Sequence, residues 1–178
     1  TYADIPIGLL LYSNLVLKRG IEKFYQDAAK AGVDSILIAD VPLRVADRFI
    51  TISEQTGIKQ ILIAPPNASD ETFAEIGKKS QGYTYLLGRA GVTGAETAVT
   101  IPASELIDKL TRYKVAPPLL GFGISTPAQV VDAIQSGAAG AISGSATVNI
   151  IAENLSQPDV MIEKLKSFVT RMKAATHK

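Results

Sequence analysis

Two stretches toward the C-terminal end hold the residue types most able to do chemistry. One runs Leu119-Leu120-Gly121-Phe122-Gly123-Ile124-Ser125-Thr126-Pro127, the other Gly140-Ala141-Ile142-Ser143-Gly144-Ser145-Ala146. Each reads as a short apolar strand ending in a glycine turn that opens a helix. Such a turn leaves backbone N–H groups without an intrahelical partner, and the helix end adds partial positive charge. The chemistry this favours is anion binding, above all of phosphate. A Ser or Thr stands at each helix start. The same glycines also permit tight packing of helix on strand, so both readings stand at this point.

Three further groups are candidates. Tyr83 and Tyr85 flank Thr84, and side chains two apart on a strand share a face. Asp40 is the one carboxylate at the C-terminal end of a predicted strand. It reads either as an acceptor that orders its loop, in support of Tyr85, or as a cap on the turn that follows. Gly88 to Glu96 (GRAGVTGAE) is a long glycine-punctuated segment without a helical stripe, the pattern of a functional lid. Within it, an isolated Arg89 reads first as a solvated loop charge, and otherwise as a group that steers phosphate or fixes the lid. His177 is the sole histidine and sits near the C-terminus. With no Cys and one His, no metal constellation is expected.

The elements that must position these groups follow from the apolar pattern. Ile5–Tyr12, Asp34–Asp40, Gln60–Ala64, Gly82–Leu87, the run from Leu119 and Ala138–Ile142 read as strands. Helices are predicted over Ile21–Ala31, Val45–Gln55, Asp70–Lys79, about Ala103–Tyr113, Ala128–Ser136, Thr147–Asn154 and Asp159–Lys173. Asn14 and Leu15 fall in the loop after the first strand. In the last helix Met161, Ile162, Leu165, Phe168, Val169 and Met172 are expected to face inward. Strand and helix alternate about six times at a spacing of roughly 25 residues, which means an α/β domain with a parallel sheet. A flavodoxin-like open sheet fits this length. Two adjoining anion turns at the last two strands instead match a (β/α)₈ barrel, whose phosphate site lies after strands 7 and 8. A complete barrel needs about 250 residues. The expectation is therefore a single partial TIM-barrel domain over residues 1–178, its last six βα units (strands 3 to 8). Roughly 90 residues are expected before Thr1.

The totals narrow the classes. The 178 residues are 47% hydrophobic and 20% charged, with net charge +1, so nothing draws the chain to nucleic acid or to an acidic membrane. Without cysteine, disulfide and thiol chemistry are excluded, which fits a cytoplasmic location. No apolar run is long enough for a transmembrane helix.

The chain resembles the tryptophan synthase α subunit family over essentially its whole length. The stretches that carry the likeness are Pro6-Ile7-Gly8-Leu9-Leu10, Tyr12 with Asn14-Leu15-Val16, Ala39-Asp40-Val41-Pro42, Pro65-Pro66-Asn67-Ala68, Gly82-Tyr83-Thr84-Tyr85-Leu86-Leu87, Arg89-Ala90-Gly91-Val92-Thr93-Gly94, Gly121-Phe122-Gly123-Ile124-Ser125 and Ile142-Ser143-Gly144-Ser145-Ala146. Gly88 departs from the Ser expected there, which loosens the lid hinge.

The resemblance implies a (β/α)₈ barrel and a lyase of tryptophan biosynthesis. Its reaction is retro-aldol cleavage of indole-3-glycerol phosphate to indole and glyceraldehyde 3-phosphate. It implies a β-subunit partner in an αββα complex, with pyridoxal phosphate held by that partner and no cofactor in this chain. By resemblance Tyr12, Ala39, Ile63, Tyr83, Tyr85, Phe122 and Ile142 line the indole pocket. Gly94, Gly123, Gly144 and Ser145 bind the phosphate, Thr93 and Tyr85 support catalysis, and Asn14 and Leu15 meet the β subunit.

The resemblance begins at the family's third strand, whereas the family's two catalytic carboxylates lie earlier. The sequence is thus expected to carry the substrate grip and lid without the acid/base pair, and to be inactive and poorly stable by itself. An alternative is a non-catalytic phosphate-binding barrel fragment or partner-binding scaffold. A third reading, an indole-glycerol phosphate synthase, is disfavoured because the first four predicted strands contain no Lys.

Overall fold

A computed structural model describes residues 4–87, 102–121 and 123–177. The chain divides into two compact units. The first comprises Thr1–Ala64, Ala68–Tyr85 and Tyr113–Pro117, and the second Pro65–Asn67, Leu86–Arg112 and Pro118–Lys178.

The first unit carries strands β1 (Gly8–Leu11), β2 (Ser35–Ile38) and β3 (Lys59–Ala64), with β4 (Thr84–Leu87) beginning in it. β1, β2 and β3 are parallel neighbours in chain order, with Leu10 opposite Leu37 and Leu37 opposite Ile61. Its helices are α1 (Ser13–Arg19), α2 (Ile21–Lys30), α3 (Asp47–Thr56, preceded by a 3₁₀ turn over Leu43–Val45) and α4 (Asp70–Lys79). α2 forms where the sequence repeats its apolar positions at helical spacing. Ile21, Tyr25 and Ala28 are buried and meet Val16 of α1, Phe49 of α3, and Ile36 and Ile38 of β2. Removing a Leu- or Ile-sized side chain from water contributes about 1.5–3 kcal/mol, so this cluster is what seats the helices on the sheet. The buried Tyr25 hydroxyl donates to Gln60 of β3, and burial pushes its pKa above the ordinary tyrosine value.

Asn14 and Leu15, expected in a loop, lie instead in the first turn of α1. That helix has seven residues and buries only Val16, too little to show a stripe. It is held by its ends. Ser13 at the start is fixed by Asp40, and Arg19 in the last turn pairs with Asp27 of α2.

The second unit contains the parallel pair β5 (Pro118–Gly121) and β6 (Gly140–Ala141) with α5 (Ala103–Arg112), α6 (Pro127–Gln135), α7 (Ser145–Glu153) and α8 (Pro158–Ala174). β6 is shorter than expected, but Ala139 donates to the Pro118 carbonyl and Ile142 to that of Leu120, which continues the register on both sides. Val130 of α6 packs with Phe168 and Met172 of α8, joined by Ile124, Ala141 and Ile150. Ile162 and Val169, expected to face inward, are 56% and 55% exposed. α8 presents a stripe narrower than its apolar residues would allow.

Candidate functional site

In the first unit, Leu9, Leu11, Ile36 and Ile38 point into the helix-covered core. The alternate positions therefore form the other face, along Leu10, Leu37 and Ile61. Continued toward the strands' C-terminal ends, the same alternation places Tyr12, Ala39 and Ile63 on this face. Tyr83 belongs to it as well: a Cβ built on Gly8 would meet Ser35 Oγ at 2.7 Å and the Tyr83 hydroxyl at 4.0 Å. On β4, Thr84 and Leu86 are fully buried while Tyr83 and Tyr85 are half-buried, so the two tyrosines share a face. Tyr83 and Tyr85 thus share the side of the sheet to which the strand alternation assigns Tyr12, Ala39 and Ile63. The opposite side of β4 leaves the Thr84 hydroxyl buried without a hydrogen-bond partner among the described residues.

This face can receive a flat apolar group and offer it phenol hydroxyls. Burial, and then the neighbouring Tyr85, raise the pKa of Tyr83 above the ordinary tyrosine value. The Tyr83 phenol therefore stays protonated and able to donate at neutral pH.

Asp40 serves as an acceptor, and the partner it orders is Ser13. Its Oδ1 accepts from the Ser13 N–H at 2.7 Å and its Oδ2 from Ser13 Oγ at 2.9 Å, so it caps α1, the helix before it. The Ser13 N–H holds this exposed carboxyl below the usual carboxylate range, with the Ser13 hydroxyl adding to the effect. β3 begins one residue earlier than the sequence pattern indicated, at Lys59. This lysine is exposed at the strand's N-terminal end, the wrong end for a side chain reaching the strand-to-helix turns.

In the second unit the two glycine turns are tied together. Ser143 Oγ donates to the Ile124 carbonyl at 2.6 Å, and Thr147 Oγ1 donates to the Ser143 carbonyl at 3.1 Å. Gly123, exposed at φ +81°, and Gly144, exposed at the start of α7, therefore belong to one local assembly. Ile142, half-buried, leads out of β6 into it.

The two helix starts differ. At α6, Gln129 Oε1 accepts from the N–H groups of Ser125 (2.8 Å) and Thr126 (3.0 Å), while Thr126 Oγ1 accepts from the Gln129 N–H at 3.3 Å. This is a complete capping box. Gln129 thus occupies the amides of Ser125 and Thr126, while Gly123, the residue expected to meet the phosphate, lies outside this box. At α7 the residue before the helix is Gly144, and no side chain among the described residues caps the end. A Cβ on Gly144 would meet nothing within 4 Å, and the Ser145 hydroxyl is exposed beside it. Open space, uncapped amides and a hydroxyl at a helix N-terminus suit a phosphate.

Sequence reading missed Gln129 and Ser143. The spacing Thr126-x-x-Gln129 was a readable signal for the first. The second had none, because its partner Ile124 comes from another strand end. Gly88, Arg89, Thr93, Gly94 and Phe122 lie outside the described residues. Among the described residues no group of His, Asp or Glu could hold a metal ion. No described helix is long and apolar enough to cross a membrane.

Comparison with known proteins finds likeness in sequence and in fold. The family model described as tryptophan synthase alpha chain matches residues 1–177. A tryptophan synthase alpha chain of Vibrio parahaemolyticus is 57% identical over 177 residues, covering 99% of this chain and 66% of that protein. One of Pectobacterium atrosepticum is 57% identical over 175 residues, covering 98% of this chain and 65% of that one. The chain thus spans just under two thirds of these relatives' length. Among solved structures, the tryptophan synthase α2β2 complex of Pyrococcus furiosus contains a chain with a TM-score of 0.80 at 31% identity, covering 97% of this chain and 67% of that one. The A-subunit of the same organism superposes with a TM-score of 0.82 at 32% identity, with 97% and 68% covered. Six βα units in this likeness are part of a (β/α)₈ barrel.

Proposed function

The chain belongs to the tryptophan synthase alpha chain family, and on that premise we propose that it supplies the substrate-holding part of the lyase that cleaves indole-3-glycerol phosphate. Residues 1–178 serve as one partial barrel domain. The phosphate is held by the amides that open α7, by the Gly123 and Gly144 turns and by the Ser145 hydroxyl, with Gly94 contributing from the lid. Tyr12, Ala39, Ile63, Tyr83, Tyr85, Phe122 and Ile142 take the indole ring, and the protonated Tyr83 donates to polar atoms near it. The observation that carries this reading is the uncapped start of α7, with open space where a Gly144 Cβ would stand.

Retro-aldol cleavage places a proton on the indole carbon and removes one from the glycerol hydroxyl, work for two carboxylates of tuned pKa. Asp40 is committed to Ser13 and is not one of them. We assign the acid/base pair to the third of the family's length that the chain does not span. Thr93 and Tyr85 act in support of it. The chain itself needs no cofactor. Pyridoxal phosphate belongs to a β subunit, which meets Asn14 and the exposed Leu15 on α1. The cysteine-free sequence suits a cytoplasmic location.

Calorimetric titration with a non-cleavable indolyl-alkyl phosphate tests the assignment. Saturable 1:1 binding is expected, weakened both in Tyr83→Ala and in Ser145→Ala. Binding that depends on neither residue would reject it. Turnover by residues 1–178 without added protein would reject the placement of the acid/base pair.

A further inference from the structure

We propose that the second unit carries a separate small-molecule site, a pocket for a compact aryl carboxylate. It is a half-open cavity of about 240 Å³ on the helix side of β6, bordered by α6, the β6–α7 turn and α8. Val130, Phe168 and Met172 form its apolar floor, with Lys173 and Thr176 at its edge. Folded proteins hold few voids larger than a water molecule, and an apolar cavity of about 150 Å³ already accepts benzene. This one has room for a ring and a short carboxylate arm. A ring edge against Phe168 and the Met172 thioether is a favourable contact.

The polar groups decide what the ligand's head must be. Three hydroxyls border the cavity, and all have committed their protons: Ser143 to the Ile124 carbonyl, Thr147 to the Ser143 carbonyl and Thr176 to the Lys173 carbonyl. They can accept but not donate. Lys173 is exposed, and among the described residues it has no ion pair. Among the side chains lining the cavity, the Lys173 ammonium is thus the free donor. A carboxylate is satisfied by it with water on its outer side. An amine is repelled. The cavity shares Ser143 and Thr147 with the turn that opens α7, but its apolar floor and its cation come from α6 and α8, so Met172 and Thr176 report on it and not on the assignment made there.

The test uses the whole 178-residue chain and 3-phenylpropionate as the probe, followed by methyl and amide NMR. Saturable shifts are expected at the Met172 methyl and at Thr176. The matching amine, 3-phenylpropylamine, should bind at least about tenfold more weakly, the size a charge-assisted hydrogen bond sets. Lys173→Gln should lower carboxylate affinity about tenfold or more while leaving 3-phenylpropanol affinity unchanged. Val169→Phe, at the exposed rim, should weaken both ligands by obstructing the mouth. Absence of saturable shifts, equal binding of the amine, or an unchanged carboxylate affinity in Lys173→Gln would each overturn the proposal.

Discussion

The turns that open α6 and α7 look alike in sequence, each with glycines after a strand and hydroxyl residues at the helix start. In the folded chain the Ser125 and Thr126 amides that open α6 are taken, whereas among the described residues no side chain takes those that open α7. Gln129 reaches back to the Ser125 and Thr126 amides, whereas Gly144 brings no side chain to those of α7. The same filling recurs in the first unit, where Asp40 takes the first amide of α1 and Ser69 accepts from Thr72 in α4. A glycine turn is therefore an anion site only where the protein has not already supplied the acceptor. Phosphate at α7 takes the place that a carboxylate or an amide oxygen takes elsewhere.

The largest expected effect comes from supplying that acceptor. Gly144 has φ −97° and free space at its Cβ, so Gly144→Asp fits without strain. The new carboxylate should cap α7, raising stability by about 0.5–1 kcal/mol in urea melts. By calorimetry it should lower glycerol-phosphate affinity about a hundredfold or more, through lost charge-assisted bonds and repulsion. Stability and binding moving together would break the comparison. Removing the acceptor at α6 is the converse. Gln129→Ala should cost about 1 kcal/mol, read from the urea midpoint, and should speed hydrogen exchange at Ser125 and Thr126.

Ser145→Ala should weaken glycerol phosphate by about threefold to tenfold, one hydroxyl's share, with the melt unchanged. Asp40→Asn should have the smallest effect, because the carboxylate is exposed. The pKa of Asp40 is lowered in the fold, so its contribution is complete above the ordinary carboxylate pKa and is lost as pH falls through the lowered value. The variant should therefore lose stability near neutral pH and match the parent in strong acid, as compared by urea midpoints at about pH 6 and about pH 2. A difference that grows on acidification would contradict the assigned cap.

Much of the fold was legible because it rests on local pattern. All six strands read as apolar runs. α2 shows its stripe in Ile21, Tyr25 and Ala28, and Gly57 and Gly137 end their helices in the left-handed backbone region that favours glycine. α1 was not legible, since a short helix anchored at its ends by Asp40 and Asp27 carries no period of its own. The outward placement of Ile162 and Val169 was hidden for a related reason. A helix wheel shows which residues are apolar but not how wide a strip its neighbours cover. At the candidate site, the tyrosine pair could be read from the two-residue repeat of a strand. Which of the two turns stays open could not, because it depends on Gln129 at one helix start and on a missing side chain at the other.

The most direct measurement is an amide NMR titration of the 178-residue chain with glycerol 3-phosphate. Saturable shifts should be largest at Gly144, Ser145 and Ala146 and small at Ser125 and Thr126, whose N–H groups Gln129 already holds. Larger shifts at Ser125 and Thr126 than at Ser145, or shifts confined to neither turn, would contradict the account.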